Sequence, residues 1–232
     1  MSALLIKGGT LVTPDSLIKA DIYVEDGIIK SISTSSSEKA DYTINADGKL
    51  VFPGIIDEHV HCREPGLTYK GDFANCTKSA AAGGVTTIFD MPNTLPPVDS
   101  AKALLEKLEL VSKKAYVDFG LYGMLHSSNL DQFEPMIEAG AIGFKVYLGP
   151  TTGNVPPPDD GALLRILEKS AKHNVTIVFH AENNDIVNFF TEEIFRSGSK
   201  DPLMHMKARP DIAEEEAIRR VGLFALRTGG RA

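Results

Sequence analysis

The chain has 232 residues, 43% of them hydrophobic and 24% charged, a composition that excludes collagen-like, disordered and disulfide-stapled classes. Lys plus Arg number 24 against 31 Asp plus Glu, a formal charge of −7, so no basic footprint exists for a phosphate backbone and no nucleic-acid partner is expected. No apolar run reaches the roughly 18 residues of a membrane span, the apolar stretch in MSALLIKGG is too short for a signal-peptide core, and Cys62 and Cys76 are the only cysteines; a cytoplasmic protein with reduced thiols is the expectation.

Residues 1–50 read as short strands with turns: LLIKGGTLVT, then ADIYVEDGIIKSI around Asp26-Gly27, then YTINADGKL around Asp47-Gly48. Asp-Gly between β-rich runs predicts a hairpin at each pair. From residue 51 to 232 the pattern changes to β-rich runs alternating with helical stretches. The runs VFPGIIDEHVH, GVTTIFDMPN, YVDFGLYG, AIGFKVYL and VTIVFHAE are mostly apolar on both parities, as parallel strands buried on two faces must be. A helix is predicted from Asp99 to Lys114, with Leu104, Leu105, Leu108 and Val111 inward. A second runs from Asp159 to His173 with Leu163, Leu164, Leu167 and Ala171 on one face, and a third from Glu214 to Leu226. Five β/α units in succession predict an α/β fold, a (β/α)₈ barrel first and an open doubly wound sheet second. A closed barrel needs eight strands, so the chain reads as incomplete, ending at Gly229-Gly230-Arg231-Ala232 where a loop into a sixth strand is expected.

In DEHVHCREPG, Asp57, His59 and His61 alternate at period two, which points all three to one side of a strand. Two imidazoles about 7 Å apart along a strand can converge on one cation, and this pair closes the first barrel strand, where barrel chemistry sits. The plain alternative is two core or surface histidines. His180 ends the fifth strand, where a lone core histidine is the plain reading. Lys145 lies inside the apolar fourth strand, where an unpaired ammonium is costly to desolvate. Either it snorkels to an ion pair, or its amine takes up CO₂ to become an anionic carbamate ligand. His126, His173 and His205 read as a loop or cap residue, a helix-end cation and a residue without strand context. Cys62 faces away from His61 and should pack between barrel and helix.

Taken together, DEHVHCREPG, AAAGGVTTIFDMPNTLPP, GFKVYLGPTTG, FHAEN and RPDIAEEEAIRRV resemble the cyclic amidohydrolases: dihydroorotase, allantoinase and dihydropyrimidinase. The resemblance implies a metal-dependent barrel with a small β-sandwich, residues 1–50 forming part of the sandwich and 51–232 an unfinished catalytic barrel. It implies two Zn²⁺ ions, His59 and His61 holding the more buried one, carboxylated Lys145 bridging them and His180 binding the second. An Arg two residues after the histidine pair and the Asn of MPNT, here Arg63 and Asn93, hold a ring carboxylate in dihydroorotases, which suits a bidentate fork and an amide donor. On this basis dihydroorotase, cyclising N-carbamoyl-L-aspartate to L-dihydroorotate in pyrimidine biosynthesis, is expected ahead of allantoinase or dihydropyrimidinase, although Arg63 has a structural alternative as partner of Glu64 or Asp57. Thr151, in the loop GPTTGNVPPP and six residues after Lys145, has the spacing of a threonine that touches the substrate in some dihydroorotases; the plain alternative is an ordinary proline-stiffened connector. That loop should lie on the surface at the active-site face.

The resemblance also implies a further metal-binding histidine after the sixth strand and an aspartate after the eighth that is both metal ligand and general base, neither of which occurs before Ala232. The fragment alone is therefore expected to be inactive. A small-molecule substrate is the expected partner, with neither nucleic acid nor membrane, and a homo-oligomer is left open. The reading from another class is a metal-free relative acting as an assembly partner, against which the retained His59, His61, Lys145 and His180 argue.

Overall fold

A computed structural model describes residues 2–151 and 155–232, and the chain divides into two units, Met1–Gly54 and Ile55–Ala232. In the first unit β1 (Ala3–Val12), β2 (Leu17–Glu25) and β3 (Ile28–Ser33) form an antiparallel meander. Asp26 and Gly27, with φ of 51° and 79°, make the tight turn that two left-handed residues allow. The second expected hairpin does not form. β4 (Tyr42–Asn45) and β5 (Leu50–Val51) both run parallel to β1, pairing Leu4 with Tyr42 and Thr10 with Leu50. The turn around Asp47-Gly48, closed by Lys49 N–H on Ala46 O at 2.9 Å, is thus a jog in one extended course, set beside the irregularity of β1 between Ile6 and Gly9. It also moves the expected boundary: Leu50–Val51 belong to the first sheet, and the units part after Gly54. Leu11, Ala20 and Ile22 are this unit's buried core.

The second unit runs β6 (Ile55–Val60), α1 (Phe73–Ala82), β7 (Val85–Asp90), α2 (Ala101–Ser112), β8 (Asp118–Leu121), β9 (Gly123–Met124), α3 (Phe133–Glu138), β10 (Phe144–Tyr147), α4 (Asp160–His173), β11 (Ile177–His180), α5 (Asn184–Ser197), α6 (Met204–Lys207) and α7 (Asp211–Thr228). All the pairings are parallel, in the orders β6-β7-β8 and β9-β10-β11. Only Tyr122 separates β8 from β9. Its N–H donates to Asp90 O at 3.1 Å, and Gly123 N–H donates to Gly143 O at 3.1 Å. One strand course therefore serves both sheets, and five strands follow one another in chain order, as staves of a (β/α)₈ barrel do. Beyond α7, Arg231 forms an isolated parallel bridge with Thr176, and Arg231 O accepts from Ile177 N–H at 2.9 Å, where the sequence reads as a loop.

The helices start at the caps the sequence offers. Ser100 Oγ accepts from Ala103 N–H and Asp159 Oδ1 from Ala162 N–H, satisfying amides that no helical carbonyl can reach. Phe133, Phe144, Val146, Leu163, Ile166, Leu167 and Ile177 form the main core between β10, β11 and their helices. Burial of each such side chain contributes about 1.5–3 kcal/mol. The inward face of α2 differs from expectation. Leu104, Lys107 and Val111 are buried, whereas Leu105 and Leu108 are exposed, because the Lys107 ammonium reaches the buried carboxylate of Asp90, Nζ to Oδ2 2.5 Å. No helix among the described residues is long and apolar enough to cross a membrane.

Candidate active site

Parallel strands in register bring their carboxyl ends to one rim. β6 delivers His59 and, one residue past its end, His61, with ring centroids 5.3 Å apart. β10 delivers Lys145 and Tyr147, and β11, whose His180 pairs with Tyr147, delivers His180. Asn93 follows β7 and Thr151 follows β10. His59, His61, Arg63, Asn93, Lys145, Thr151 and His180 all line one cleft of about 480 Å³, together with Tyr147, Pro150 and Arg209. Asp57, the third member of the alternating set, instead accepts from the His59 N–H at 3.2 Å. His126, His173 and His205 do not line the cleft. Within the predicted loop GPTTGNVPPP, residues 152–154 lie outside the described residues.

The loop after β6 is locked onto the loop after β7. Gly66 has φ +81°, and a Cβ there would stand 2.1 Å from Leu95 O; only glycine permits both the backbone angle and the approach. Pro65 O accepts from Leu95 N–H at 3.2 Å. Glu64 is buried, its Oε2 accepting from Phe73 N–H at 2.9 Å and its Oε1 paired with Lys114. With Glu64 so engaged, Arg63 is not its ion-pair partner. Arg63 takes the left-handed φ of +62°, a conformation that costs a non-glycine residue and recurs at functional sites. Its Nη1 is buried with no hydrogen-bond partner among the described residues. Asn93 Oδ1 lies 2.8 Å from His61 Nδ1, and Asn93 Nδ2 donates to Thr151 Oγ1 at 3.4 Å.

Burial holds the pKa of His59 and His61 below the usual histidine value, aided by Lys145 at His59 and Arg63 at His61, which favours the neutral imidazole a metal needs. Lys145 is 2% exposed, and no carboxylate among the described residues accepts from its ammonium; its Nζ lies 5.3 Å from the centre of the Tyr147 ring. Desolvation lowers its pKa to about 8. Burial raises that of the Tyr147 hydroxyl. Glu182 Oε2 stands 2.5 Å from His180 Nε2 and also receives Arg209 Nη1. Burial works to raise the Glu182 pKa, but Arg209 and His180 outweigh it and hold the carboxylate low.

The sequence reading missed Tyr147, Glu182 and Arg209. Each had a signal: Tyr147 and Glu182 follow Lys145 and His180 at period two, and Arg209 opens the motif RPDIAEEE. That motif also braces the rim, since Ala213 O accepts from Asn183 N–H at 2.8 Å and Glu216 Oε2 from Asn183 Nδ2 at 2.6 Å.

Comparison with known proteins fits this geometry. The profile of the amidohydrolase family matches residues 50–219. The chain belongs to that family. An allantoinase of Deinococcus radiodurans is 36% identical over 228 residues, 97% of this chain and 51% of that protein. An L-hydantoinase of Paenarthrobacter aurescens is 38% identical over 234 residues, 100% of this chain and 51% of that protein. The solved structure of an L-hydantoinase (dihydropyrimidinase) from Arthrobacter aurescens superposes with a TM-score of 0.94 at 38% identity, covering 100% of this chain and 52% of that one. The amidohydrolase chain described here thus spans about half the length of the relatives it matches. These relatives are named allantoinase and hydantoinase, so the expected order is reversed: dihydroorotase gains no support, and the alternative fits better.

Proposed function

We propose that the full-length protein is a zinc-dependent cyclic amidohydrolase that opens a ring amide of the allantoin or hydantoin class, a small-molecule reaction of the cytoplasm. The observation that carries this reading is the meeting of His59, His61, Lys145 and His180 in one cleft. The substrate class is supported by the names of the relatives. Among the described residues no three His, Cys, Asp or Glu side chains form a cation site by themselves, and Lys145 is the further donor that the cleft offers. Its chemistry fits. With a pKa of about 8, about a tenth of the amine is unprotonated at pH 7. Uptake of CO₂ by that free amine, with loss of one proton, yields a carbamate able to bridge two cations. The neutral imidazoles of His59 and His61 supply nitrogen donors. Glu182, accepting from His180 Nε2–H, leaves Nδ1 of His180 as its donor. When bound, a zinc pair would lower the pKa of water and polarise the amide carbonyl.

The remaining residues position the ring. Asn93, fixed through His61 and Thr151, presents its amide to a ring carbonyl, and the unpartnered Nη1 of Arg63 offers a charged donor. Holding the scissile carbonyl against the nucleophile converts binding into orientation. A metal-free assembly role draws less support, because His59, His61, Lys145 and His180 are all retained in one cleft and the relatives are named as enzymes.

Full-length protein loaded with zinc and assayed on allantoin, hydantoin, dihydrouracil and dihydroorotate tests the reading. Ring opening of allantoin or hydantoin supports it, and absence of hydrolysis on all four overturns it. One observation favours a second reading: the Arg63 Nη1 that lacks a partner suits a ring carboxylate. Selective turnover of dihydroorotate, lost in Arg63→Lys with zinc retained, would install that reading in place of the first.

A further inference from the structure

Next to His61 in sequence but outside the lining of the cleft, the loop after β6 and helix α1 bring together a pair of groups that the proposed reaction does not use. Cys62 follows His61, is 1% exposed and packs with Phe73, Ile88 and Leu104. Cys76 lies in the first turns of α1 and is only half-buried. Their sulfurs are 2.8 Å apart, Cys62 Sγ–H donating to Cys76 Sγ. Among the described residues no third metal-binding side chain joins them, so the pair is a dithiol and not a metal centre.

We infer that Cys62 and Cys76 form an oxidisable dithiol, a modification site at which a low-molecular-weight disulfide converts the two thiols into an internal disulfide. Both ends are already held. Asp90 Oδ1 accepts from Cys62 N–H at 2.8 Å, and Glu64 fixes the start of α1 through Phe73 N–H. A disulfide needs sulfurs about 2.05 Å apart, a closure of less than one ångström, and groups held this close react as though at very high concentration. The half-buried Cys76 is the sulfur that a solvent-borne reagent meets first, and the hydrogen bond from Cys62 favours its thiolate.

The step balances with glutathione disulfide as oxidant. Cys76 thiolate attacks one glutathione sulfur, the glutathione S–S bond breaks, and a glutathione thiolate leaves. Cys62 sulfur then attacks Cys76 sulfur in the mixed disulfide, expelling the second glutathione, and the Cys62 proton passes to the departing thiolate. Two protein thiols lose two electrons, and one glutathione disulfide is reduced to two thiols.

The test is a peptide map. Full-length protein is reduced, desalted, exposed to glutathione disulfide, alkylated and digested with trypsin without reductant. The expected product joins Leu50–Arg63 to Gly71–Lys78 with loss of two hydrogens, and dithiothreitol releases both. In Cys62→Ser the reaction stops with glutathione on Cys76. Accumulation of that adduct in the wild-type protein, or alkylation of both cysteines after oxidation, overturns the proposal. Because the wild-type map decides alone, a poorly folding variant does not blunt the test. The outcome is also independent of which substrate the cleft takes.

Discussion

Glu182 Oε2 sits 2.5 Å from His180 Nε2, with the Arg209 guanidinium on the same oxygen. A carboxylate on the outer nitrogen of a histidine fixes its tautomer and raises its basicity as a ligand. Glu182→Gln keeps the size of the side chain and removes that charge. Zinc affinity of the full-length protein, measured by chelator competition, is expected to fall about 10–100-fold, with a smaller loss in Arg209→Met. Unchanged affinity in Glu182→Gln would show that His180 needs no such support.

Lys145 gives a pH signature free of metal and CO₂. Its folded-state pKa is about 8 against an ordinary 10.5, so between these values the unfolded chain holds a proton that the folded chain has released. Stability therefore rises with pH through that window, by about 3 kcal/mol in total at roughly 1.4 kcal/mol per unit. The penalty is fully present below pH 8. Denaturant unfolding of apo protein in CO₂-free buffer should show the rise, and Lys145→Met should flatten it.

Gly66→Ala places a Cβ against Leu95 O in a left-handed backbone. The expected cost is about 1–3 kcal/mol or more, read as a lower denaturant midpoint. Because this contact aligns the loops bearing Arg63 and Asn93, KM for the ring substrate should rise as well.

Lys107→Ala strands the fully buried Asp90 carboxylate. Breaking one side of such a pair costs about 3–5 kcal/mol. Pairing it with Asp90→Asn should recover part of the loss, and a double-mutant cycle by urea unfolding measures how much. Additive losses would show the two side chains to be uncoupled.

What the sequence could reveal depended on periodicity. Strand alternation marked His59 and His61, and apolar runs on both parities marked β7, β10 and β11. Turn chemistry identified the Asp26-Gly27 hairpin but misled at Asp47-Gly48, because a local Asp-Gly signal says nothing of whether the flanking strands pair with each other or with a third. Helix α1 went unseen because FANCTKSAAA buries only Phe73 and Thr77 and carries no aliphatic stripe. Lys107 was invisible as a core residue, since its burial depends on an aspartate 17 positions away on another element. Every donor named from the sequence lines the cleft, whereas the partner of Arg209, although that residue opens a motif, is set by the tertiary packing that brings it to Glu182. The substrate followed from a resemblance resting on Arg63 and Asn93, two residues whose geometry leaves the ring's substituent open.

Whether Lys145 acts with the three histidines around zinc is read most directly from metal analysis of full-length protein purified with and without bicarbonate. About two zinc ions per chain are predicted for the wild type, with a clear loss in Lys145→Ala that a short-chain carboxylic acid in the buffer partly restores. A wild-type protein that binds no zinc, or a Lys145→Ala variant that keeps its full complement, would contradict that joint action.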